Sequence, residues 1–374
     1  MNILIIMSGF FPGRKYGGPP VSTDNFCTLM KDSADCYILT HNHDMGESAP
    51  YPNITEEWND RGNAKVRYVS DSEYNVATFE TVIQEVQPVY IYLQGLFQEC
   101  VFPCLKLAKK HHVKVVLAPR GELCSGAFKK KYKKIPYIAV LRMMGLLKEV
   151  SFQSTSDEET GAIEKYLGAS EDRIHLLTNI PSIPNNLPES KVKVAGIGRF
   201  VFISRILWKK NLLKAISFLQ SVKGTAIFDI YGPKEDENYW KDCEDAIKQL
   251  PSNVKVNYCG VLSHDEIHRT FCQYDAFLFP TLSENYGHVI AEALMTGCIP
   301  IISDQTPWTD MNENGAGWAL PLAEEDGFKK AIQQVVDMEE DTIQNKRDCI
   351  KKYLTIKLKL DELKDEYRKV FANS

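Results

Sequence analysis

Short runs of β-branched and aromatic residues alternate with amphipathic stretches along nearly the whole chain. In the first half such runs include NILIIM (2–7), VYIYL (89–93) and VKVVLA (113–118), and in the second half FVFIS (200–204) and AIFDIY (226–231). Continuous apolar strands separated by helices are typical of parallel sheets that helices cover on both faces. The alternation therefore predicts an α/β chain of doubly wound parallel sheets, whose ligands bind at the carboxyl ends of the strands.

One segment interrupts this alternation. Residues 179–196 are rich in proline and asparagine and show no periodicity, which is typical of a linker between domains. A length of 374 residues also exceeds what one ordinary core supports. We expect two Rossmann-like domains facing across a cleft, the first over residues 1–180 and the second over 195–354.

Composition argues against several classes of protein. The net charge of −5 argues against a general nucleic-acid binder, so no nucleic-acid partner is expected. The start, MNILIIMSGF, lacks the basic residues of a secretory signal, and no window is apolar enough to span a membrane, so we expect a cytoplasmic protein. The ten cysteines form no Cys-x-x-Cys pair. We interpret them as reduced thiols and expect no metal site.

A pair of glutamates marks the strongest candidate site. In SENYGHVIAEALMTG (283–297), Glu284 lies in a strand-to-helix turn and Glu292 lies in the following helix. The backbone N–H groups of Tyr286, Gly287 and His288 open that helix, where the helix dipole and unpaired donors favour an anion. The alternative is a helix-end charge at Glu284 and a solvated Glu292. However, Glu292 interrupts the apolar run VIA-E-ALM, which favours an inward orientation.

This stretch resembles a known family. FPTLSENYGHVIAEALMTGCIPII is similar to the Glu-x7-Glu segment of the family 4, or group 1, glycosyltransferases. FVFISRILWKKNLLKAI (201–216) resembles a second segment of that family, in which an arginine and a lysine hold the donor diphosphate. Arg205 and Lys210 fall on those two positions. The family has glycines where this chain has Ser204 and Asn211, which is a departure from its pattern.

Three glycine loops complete the resemblance. FFPGRKYGGPPVST (10–23) resembles the first loop of the family, so Gly17 and Gly18 are expected to let backbone N–H groups approach the β-phosphate. A Gly-Gly pair alone is more often only a turn. IYGPK (230–234) and YCGVL (258–262) fall where the strand-end loops of the family line the nucleotide pocket, which indicates Gly232 and Gly260.

The resemblance implies a GT-B fold and a retaining transfer that needs no metal, with a nucleotide-sugar co-substrate and no other cofactor. It places the donor on the second domain, the acceptor mainly on the first, and a C-terminal helix, about 355–374, back on the first domain. Arg205, Lys210 and Glu284 would be the catalytic residues, and Glu292 would accept the ribose hydroxyls. The nucleotide-sugar-binding residues would be Gly17, Gly18, Gly232, Gly260, Asn285, Tyr286, Gly287, His288, Val289 and Glu292.

The acceptor side shows weaker matches. Gln94 stands about where the family often has a histidine, and a glutamine cannot act as a base near neutral pH. The segment Pro119-Arg120-Gly121-Glu122 resembles bacterial surface-polysaccharide members of the family, so Gln94, Arg120 and Glu122 are candidate acceptor contacts. The alternative is a structural Arg120–Glu122 pair. His41 and His43 follow the second strand and could border the cleft.

A basic segment follows the acceptor candidates. It interleaves aromatic residues with Lys129, Lys130, Lys131, Lys133 and Lys134. One interpretation is a solvated face. The other is a patch that meets an anionic membrane or a lipid-diphosphate acceptor, with the protein peripheral on the inner face of the cell membrane.

These observations favour transfer of a hexose or N-acetylhexosamine from a UDP-sugar to a glycan or lipid-linked acceptor. A nucleotide-sugar epimerase of the same fold and a non-catalytic nucleotide-sugar-binding module remain the alternatives. A dehydrogenase would need a Gly-x-Gly-x-x-Gly fingerprint, which the first loop lacks.

Overall fold

The computed structural model describes residues 1–124, 128, 131–184 and 186–373, except for the side chains of Lys131 and Asn373. It divides into an N-terminal unit, Met1–Ile180 with Leu360–Ser374, and a C-terminal unit, Pro181–Lys359. The predicted second domain begins at 195, whereas residues from Pro181 onward already belong to the C-terminal unit.

The N-terminal unit is built on an eight-stranded sheet of order β3-β4-β2-β1-β5-β6-β7-β8. Every pairing is parallel except that of the short edge strand β3 with β4. The strands are β1 Asn2–Ile6, β2 Asp35–His41, β3 Asn59–Asp60, β4 Lys65–Val69, β5 Tyr90–Gln94, β6 Lys114–Ala118, β7 Val150–Ser154 and β8 Ile174–Leu176. The helices are α1 Gly18–Met30, α2 Val76–Val86, α3 Val101–His111, α4 Lys131–Met143 and α5 Asp157–Ala162.

The C-terminal unit is built on a six-stranded parallel sheet of order β11-β10-β9-β12-β13-β14. The strands are β9 Ile197–Ile203, β10 Thr225–Tyr231, β11 Val254–Tyr258, β12 Ala276–Phe279, β13 Ile299–Ser303 and β14 Trp318–Leu320. The helices are α6 Leu212–Phe218, α7 Glu237–Lys248, α8 His264–Phe271, α9 His288–Met295, α10 Glu325–Asp337 and α11 Glu340–Leu358. The short edge strands β3 and β14 are absent from the predicted strands because two or three residues carry no readable alternation.

The strands β1, β2 and β5 are buried on both faces, as their unbroken apolar composition predicts. One cluster of buried residues includes Phe79, Leu105 and Phe152, and a second, on other side chains of the same sheet, includes Phe26 and Tyr92. Both doubly wound sheets therefore agree with the predicted α/β class.

The last helix, α12 Leu360–Asn373, belongs to the N-terminal unit. Phe371 is fully buried there, with its ring centroid 5.0 Å from that of Phe26 and 5.2 Å from that of Tyr92. The Tyr367 hydroxyl accepts a hydrogen bond from the Gln153 amide at 2.8 Å and donates to the Thr178 carbonyl at 3.0 Å. The chain changes direction at Lys359, in the left-handed conformation, rather than near 355, because α11 continues to Leu358.

The end of the predicted linker is an integral part of the C-terminal unit. The Lys193 side chain is fully buried, with its Nζ 3.8 Å from an Asp275 carboxylate oxygen, and Arg199 contacts the same carboxylate at 2.9 Å. Burial lowers the pKa of Lys193. Proline-rich composition correctly indicates irregular backbone at this point, but it does not show that the segment is anchored.

Candidate functional site

The turn between β12 and α9 carries the glutamate motif. Gly287 precedes α9 with φ at 76°, and a Cβ there would lie 2.8 Å from Ile290 Cδ1. A side chain at this position would therefore be strained both by backbone conformation and by contact. Thr281 is fully buried, and its carbonyl accepts a hydrogen bond from Ser303 Oγ at 2.5 Å. The first residues of the turn, before Glu284, are thus fixed to β13.

Lys210 and Glu284 form an ion pair in this turn. Lys210 ends the short 3-10 turn Trp208–Lys210 that follows β9, and the two side chains are only 12% and 15% exposed. Asn211 follows with φ at 60°, a left-handed conformation that explains why the family has a glycine there. Two of the three predicted catalytic residues therefore contact each other directly, although 74 positions separate them.

Glu292 lies on the buried side of α9 and is 2% exposed. The interpretation of Glu292 as a solvated helix residue is therefore wrong. Burial raises the pKa of its carboxyl to about 7, although a hydrogen bond from Ser182 acts in the opposite direction. His264 Nδ1 lies 3.9 Å from the same carboxylate. The sequence analysis missed Ser182 and His264, because both lie far from the motif along the chain.

Tyr286 stands beside this carboxyl group. Its ring packs 5.6 Å from Trp308, and its backbone carbonyl accepts the Trp308 indole N–H at 2.6 Å. The Tyr286 hydroxyl is buried and has no hydrogen-bond partner among the described residues. Burial, and then the charge of Glu292, raise the pKa of this hydroxyl. It is a buried polar group, without a partner in the described part of the chain, just before the start of α9.

The loops after β9, β10 and β11 converge. Gly232 has φ at 144°, and a Cβ there would overlap the Ser204 carbonyl oxygen. Its N–H donates to the Gly260 carbonyl at 2.8 Å, and its own carbonyl accepts from the Tyr258 hydroxyl at 3.0 Å. Arg205, which follows β9, pairs with Glu235 at 3.3 Å rather than with Glu284. Glu235 was not predicted from sequence.

The remaining donor candidates lie at the start of α9. The Asn285 side chain is exposed, whereas His288 and Val289 are half-buried. The His288 ring packs edge-on against Tyr286, with the ring centroids 4.8 Å apart. These three residues are therefore close to Tyr286 and Gly287 without forming a separate cluster.

The glycine pair of the N-terminal unit lies at the start of α1. Gly17 precedes the helix with φ at 73°, and nothing lies within 4 Å of where a Cβ would be. The requirement for glycine here is therefore conformational rather than steric. Pro19 and Pro20 follow Gly18 and lack N–H groups, so the first turn offers fewer donors than an ordinary helix start.

Arg120 is the centre of a polar network in the N-terminal unit. Its guanidinium donates to Gln94 Oε1 at 2.7 Å, to the Tyr92 hydroxyl at 3.1 Å and to Asn179 Oδ1. Glu122 instead accepts the N–H groups of Leu96 and Phe97. The interpretation of a structural Arg120–Glu122 pair is therefore wrong.

Two of the acceptor candidates are partly buried in this region. Burial raises the pKa of the Glu122 carboxyl. Gln94 Nε2 is buried and has no hydrogen-bond partner among the described residues. Both N–H donors of the Gln94 amide are therefore unused among the described residues of its unit.

The basic segment is only partly described. Lys129 and Lys130 lie outside the described residues, as does the side chain of Lys131. Lys133 is exposed, whereas Lys134 turns inward, with its Nζ 3.2 Å from the Glu122 carbonyl and 4.4 Å from the centre of the Phe97 ring. The interpretation of the whole run as a solvated face therefore fails at Lys134.

Helix α4 exposes apolar residues beside these lysines. Tyr132, Ile135, Val140 and Met143 are all exposed, as is Met144 just after the helix. A shallow cavity of about 340 Å³ runs along the helix and is lined by Ile135, Ile138, Ala139, Arg142, Met143, Lys165 and Tyr166. Among the helices of the described residues, none combines the length and apolar character needed to cross a membrane.

Comparisons with known proteins agree with this geometry. The family described as "Glycosyl transferases group 1" matches residues 185–353, nearly the whole C-terminal unit. A Klebsiella pneumoniae protein described as an uncharacterized 41.2 kDa protein in the cps region is 21% identical over 296 residues, covering 72% of this chain and 73% of its own length.

Among solved structures, the lipopolysaccharide outer core galactosyltransferase WaaB shares 16% identity at a TM-score of 0.61, with 99% of both chains covered. Anabaena HepE, solved with UDP and glucose, shares 14% sequence identity at a TM-score of 0.62, with 97% of this chain and all of HepE covered. S. aureus TarM, solved with UDP, shares 11% sequence identity at a TM-score of 0.69, with both chains fully covered. These likenesses show the GT-B fold, and residues 185–353 match the family of group 1 glycosyltransferases.

Proposed function

We propose that the chain is a retaining hexosyltransferase that moves a hexose or N-acetylhexosamine from a UDP-sugar to a glycan or lipid-linked acceptor in surface polysaccharide biosynthesis. The observation on which this depends is the meeting of Lys210 and Glu284 beside the start of α9, together with the buried Glu292. Support for UDP comes from HepE and TarM, both solved with it. Support for the acceptor class comes from WaaB and from the relative in the cps region.

The proposed chemistry follows from the charges present. Departure of the nucleoside diphosphate places negative charge near the loop after β9, where Lys210 and Arg205 supply two cations. Glu284 accepts hydrogen bonds from hydroxyls of the donor sugar, and these weaken its ion pair with Lys210. Glu292 accepts the ribose hydroxyls as a carboxylate. Protein cations and backbone N–H groups thus stabilise the leaving group, and retention rests on the family resemblance.

The acceptor would bind to the N-terminal unit. Gln94 offers the N–H donors of its amide, which have no partner among the described residues, and Arg120 holds the Gln94 side chain in place through its carbonyl oxygen. On this proposal Gln94 contacts the acceptor directly. Arg120 orients it, and Glu122 orders the loop at Leu96 and Phe97.

Neighbouring lysines provide a matched test of the donor site. Lys210 is half-buried and paired, whereas the adjacent Lys209 has an exposed side chain. We expect Lys210→Ala to lower kcat for UDP release from UDP-glucose or UDP-N-acetylglucosamine by about 10²–10³, the usual loss for one group that stabilises developing charge. Lys209→Ala should be nearly silent. Wild-type turnover in a folded Lys210→Ala protein, checked by circular dichroism, contradicts the proposal.

We also propose that α4 meets an anionic membrane. Exposed Tyr132 and Met143 would enter the interface while Lys133 and Arg142 meet lipid headgroups. Co-sedimentation should be strong with vesicles that contain phosphatidylglycerol and weak with pure phosphatidylcholine. The double variant Lys133→Glu/Arg142→Glu should bind both kinds of vesicle equally weakly. The control Lys248→Glu reverses the charge of an exposed lysine in the C-terminal unit and should keep the preference for phosphatidylglycerol. Equal binding by both variants overturns this assignment.

A further inference from the structure

A second cluster of polar side chains lies in the N-terminal unit, apart from every residue assigned above. Among the described residues, His41, His43 and Asp71 bring one potential ligand atom each within 4.8 Å of one another. His41 ends β2, and Asp71 follows β4, the parallel neighbour of β2, with His41 paired to Val69 in the register. The carboxyl ends of adjacent parallel strands therefore bring the three side chains together.

The outer nitrogen of each histidine has its own acceptor. His41 Nε2 lies 3.1 Å from a Glu99 carboxylate oxygen, and His43 Nδ1 lies 3.0 Å from the Asp44 backbone carbonyl. A carbonyl oxygen can only accept, so His43 Nδ1 carries a proton in this arrangement. Such outer hydrogen bonds orient ligand histidines in metal sites, where a carboxylate or carbonyl receives the N–H of the nitrogen that does not bind metal.

The inner nitrogens of both rings then converge on one atom. His41 Nδ1 lies 3.0 Å and His43 Nε2 lies 2.8 Å from the same oxygen, Asp71 Oδ1. The approach from His41 lacks hydrogen-bond geometry, so His41 Nδ1 is a buried polar atom without a hydrogen-bond partner among the described residues. The contact from His43 has hydrogen-bond geometry and is satisfied by a proton on Nε2. A cation placed among the three atoms would replace that proton and also give His41 Nδ1 a partner.

The surroundings fix the rings and leave one side open. The His41 ring stacks on Tyr74 with the ring centroids 4.0 Å apart, and both histidine side chains are nearly enclosed. The Asp71 side chain is 74% exposed. Water can therefore complete a coordination sphere from the Asp71 side.

We propose that His41 Nδ1, His43 Nε2 and one carboxylate oxygen of Asp71 bind a divalent transition-metal ion of the zinc class, with water as the fourth ligand. Bonds of about 2.0–2.2 Å in a tetrahedral site place neighbouring ligand atoms roughly 3.3 Å apart, close to the 3.0 Å and 2.8 Å that separate Asp71 Oδ1 from His41 Nδ1 and His43 Nε2. Imidazole and carboxylate together suit such an ion. The expectation of no metal rested on the lack of cysteine pairs, and that search does not detect ligands contributed by adjacent strand ends.

The cluster is connected to the glycine loop before α1. The Asp44 carboxylate accepts the backbone N–H groups of Arg14 at 2.8 Å and Lys15 at 3.2 Å. The Tyr16 hydroxyl donates to the His43 carbonyl at 3.2 Å. An ion that holds His43 therefore also orders residues 14–16, immediately before Gly17. Its role would be to shape this loop.

Zinc binding to the full, untagged chain tests the assignment. After the protein is stripped with a chelator, isothermal titration with Zn²⁺ should show one tight equivalent for the wild type. His43→Ala and Asp71→Asn should each weaken it at least tenfold, and Glu99→Gln should weaken it by about 10-fold through the outer hydrogen bond. His111→Ala is the matched control, because His111 also contacts a carboxylate, that of Glu80, outside the cluster.

Cobalt substitution gives a readout that a structural histidine would not produce. Co²⁺ in a site with nitrogen and oxygen ligands should give visible absorption bands in the wild type and in His111→Ala, and these bands should be lost in His43→Ala. Circular dichroism and UDP binding verify that each variant is folded. Absence of a tight zinc equivalent in the wild type, or equal zinc affinity in all variants, overturns the proposal.

Discussion

A carboxyl group buried away from water is costly to ionise, and Glu292 is such a group. Its pKa of about 7 lies well above the ordinary value of 4.5. Ribose hydroxyls donate best to the ionised form, so a bound ligand would supply hydrogen bonds that offset the cost of ionising this buried carboxyl. Glu292 therefore represents a trade between stability and binding at the scale of one residue.

Glu292→Gln separates these two effects. Between pH 4.5 and 7 the folded protein holds a proton that the unfolded chain releases, so the unfolding free energy of the wild type falls as pH rises through this window. The glutamine variant lacks this loss and should be more stable at pH 8 by up to about 3 kcal/mol, with little difference at pH 4.5.

Urea unfolding followed by tryptophan fluorescence measures this difference, because Trp208, Trp240, Trp308 and Trp318 all belong to the C-terminal unit. The variant should nevertheless bind UDP-glucose more weakly than the wild type above pH 7. A stability difference that does not change with pH would contradict the argument.

Arg205 is held by a carboxylate that competes with the proposed diphosphate. Its pairing with Glu235 is partly exposed, so its contribution is about 0.2–1 kcal/mol. Glu235→Gln should release the guanidinium and tighten UDP binding by a few fold, whereas Arg205→Ala should weaken it. Titration by calorimetry measures both. Weaker binding in Glu235→Gln would show that Glu235 orients Arg205 rather than competing for it.

At the scale of elements, the site depends on how the loops after β9, β10 and β11 close on one another. Gly232 combines φ at 144° with a position where a Cβ would overlap the Ser204 carbonyl. Gly260 also has positive φ, at 85°, but nothing lies within 4 Å of its Cβ position. Both glycines therefore need a positive φ angle, but only at Gly232 would an added Cβ also clash with a neighbouring atom.

Gly232→Ala should destabilise the C-terminal unit by several kcal/mol, because a backbone carbonyl cannot move aside without breaking the loop. Gly260→Ala should cost only about 1 kcal/mol, from backbone conformation alone. Urea unfolding by tryptophan fluorescence compares the two variants directly. Similar losses of unfolding free energy in the two variants would show that the loop after β10 rearranges freely.

At the scale of the whole molecule, the chain returns to its first unit in its last fifteen residues. Tyr367 connects α12 to that unit through Gln153 and Thr178. Tyr367→Phe should cost about 1–3 kcal/mol, because the Thr178 carbonyl loses this donor and the buried Gln153 amide keeps only the Leu177 carbonyl as an acceptor among the described residues.

Hydrogen exchange should therefore quicken in strands β6 and β7 of the N-terminal unit and stay unchanged in β9 and β12. Tyr132→Phe, which removes an exposed hydroxyl, is the control and should change neither set of strands. Equal protection in wild type and Tyr367→Phe would show that the hydroxyl contributes nothing to this unit.

Sequence alone determined the features that depend on local order. Strand and helix periodicity predicted the two doubly wound sheets, and the motif spacing located Glu284 and Glu292 relative to a strand end and a helix. Arg205 and Lys210 were predicted from the resemblance of residues 201–216 to a family segment, which is also a matter of local order. The edge strands β3 and β14 were too short to carry a pattern.

Contacts between segments that are far apart in the chain depend on how the elements pack. The pairing of Lys210 with Glu284, the Ser182 and His264 neighbours of Glu292, and the three partners of Arg120 join segments far apart in the chain. The convergence of His41, His43 and Asp71 likewise depends on β2 and β4 being neighbours in the sheet. Periodicity shows which face of an element is buried, but strand order and packing determine what that face meets.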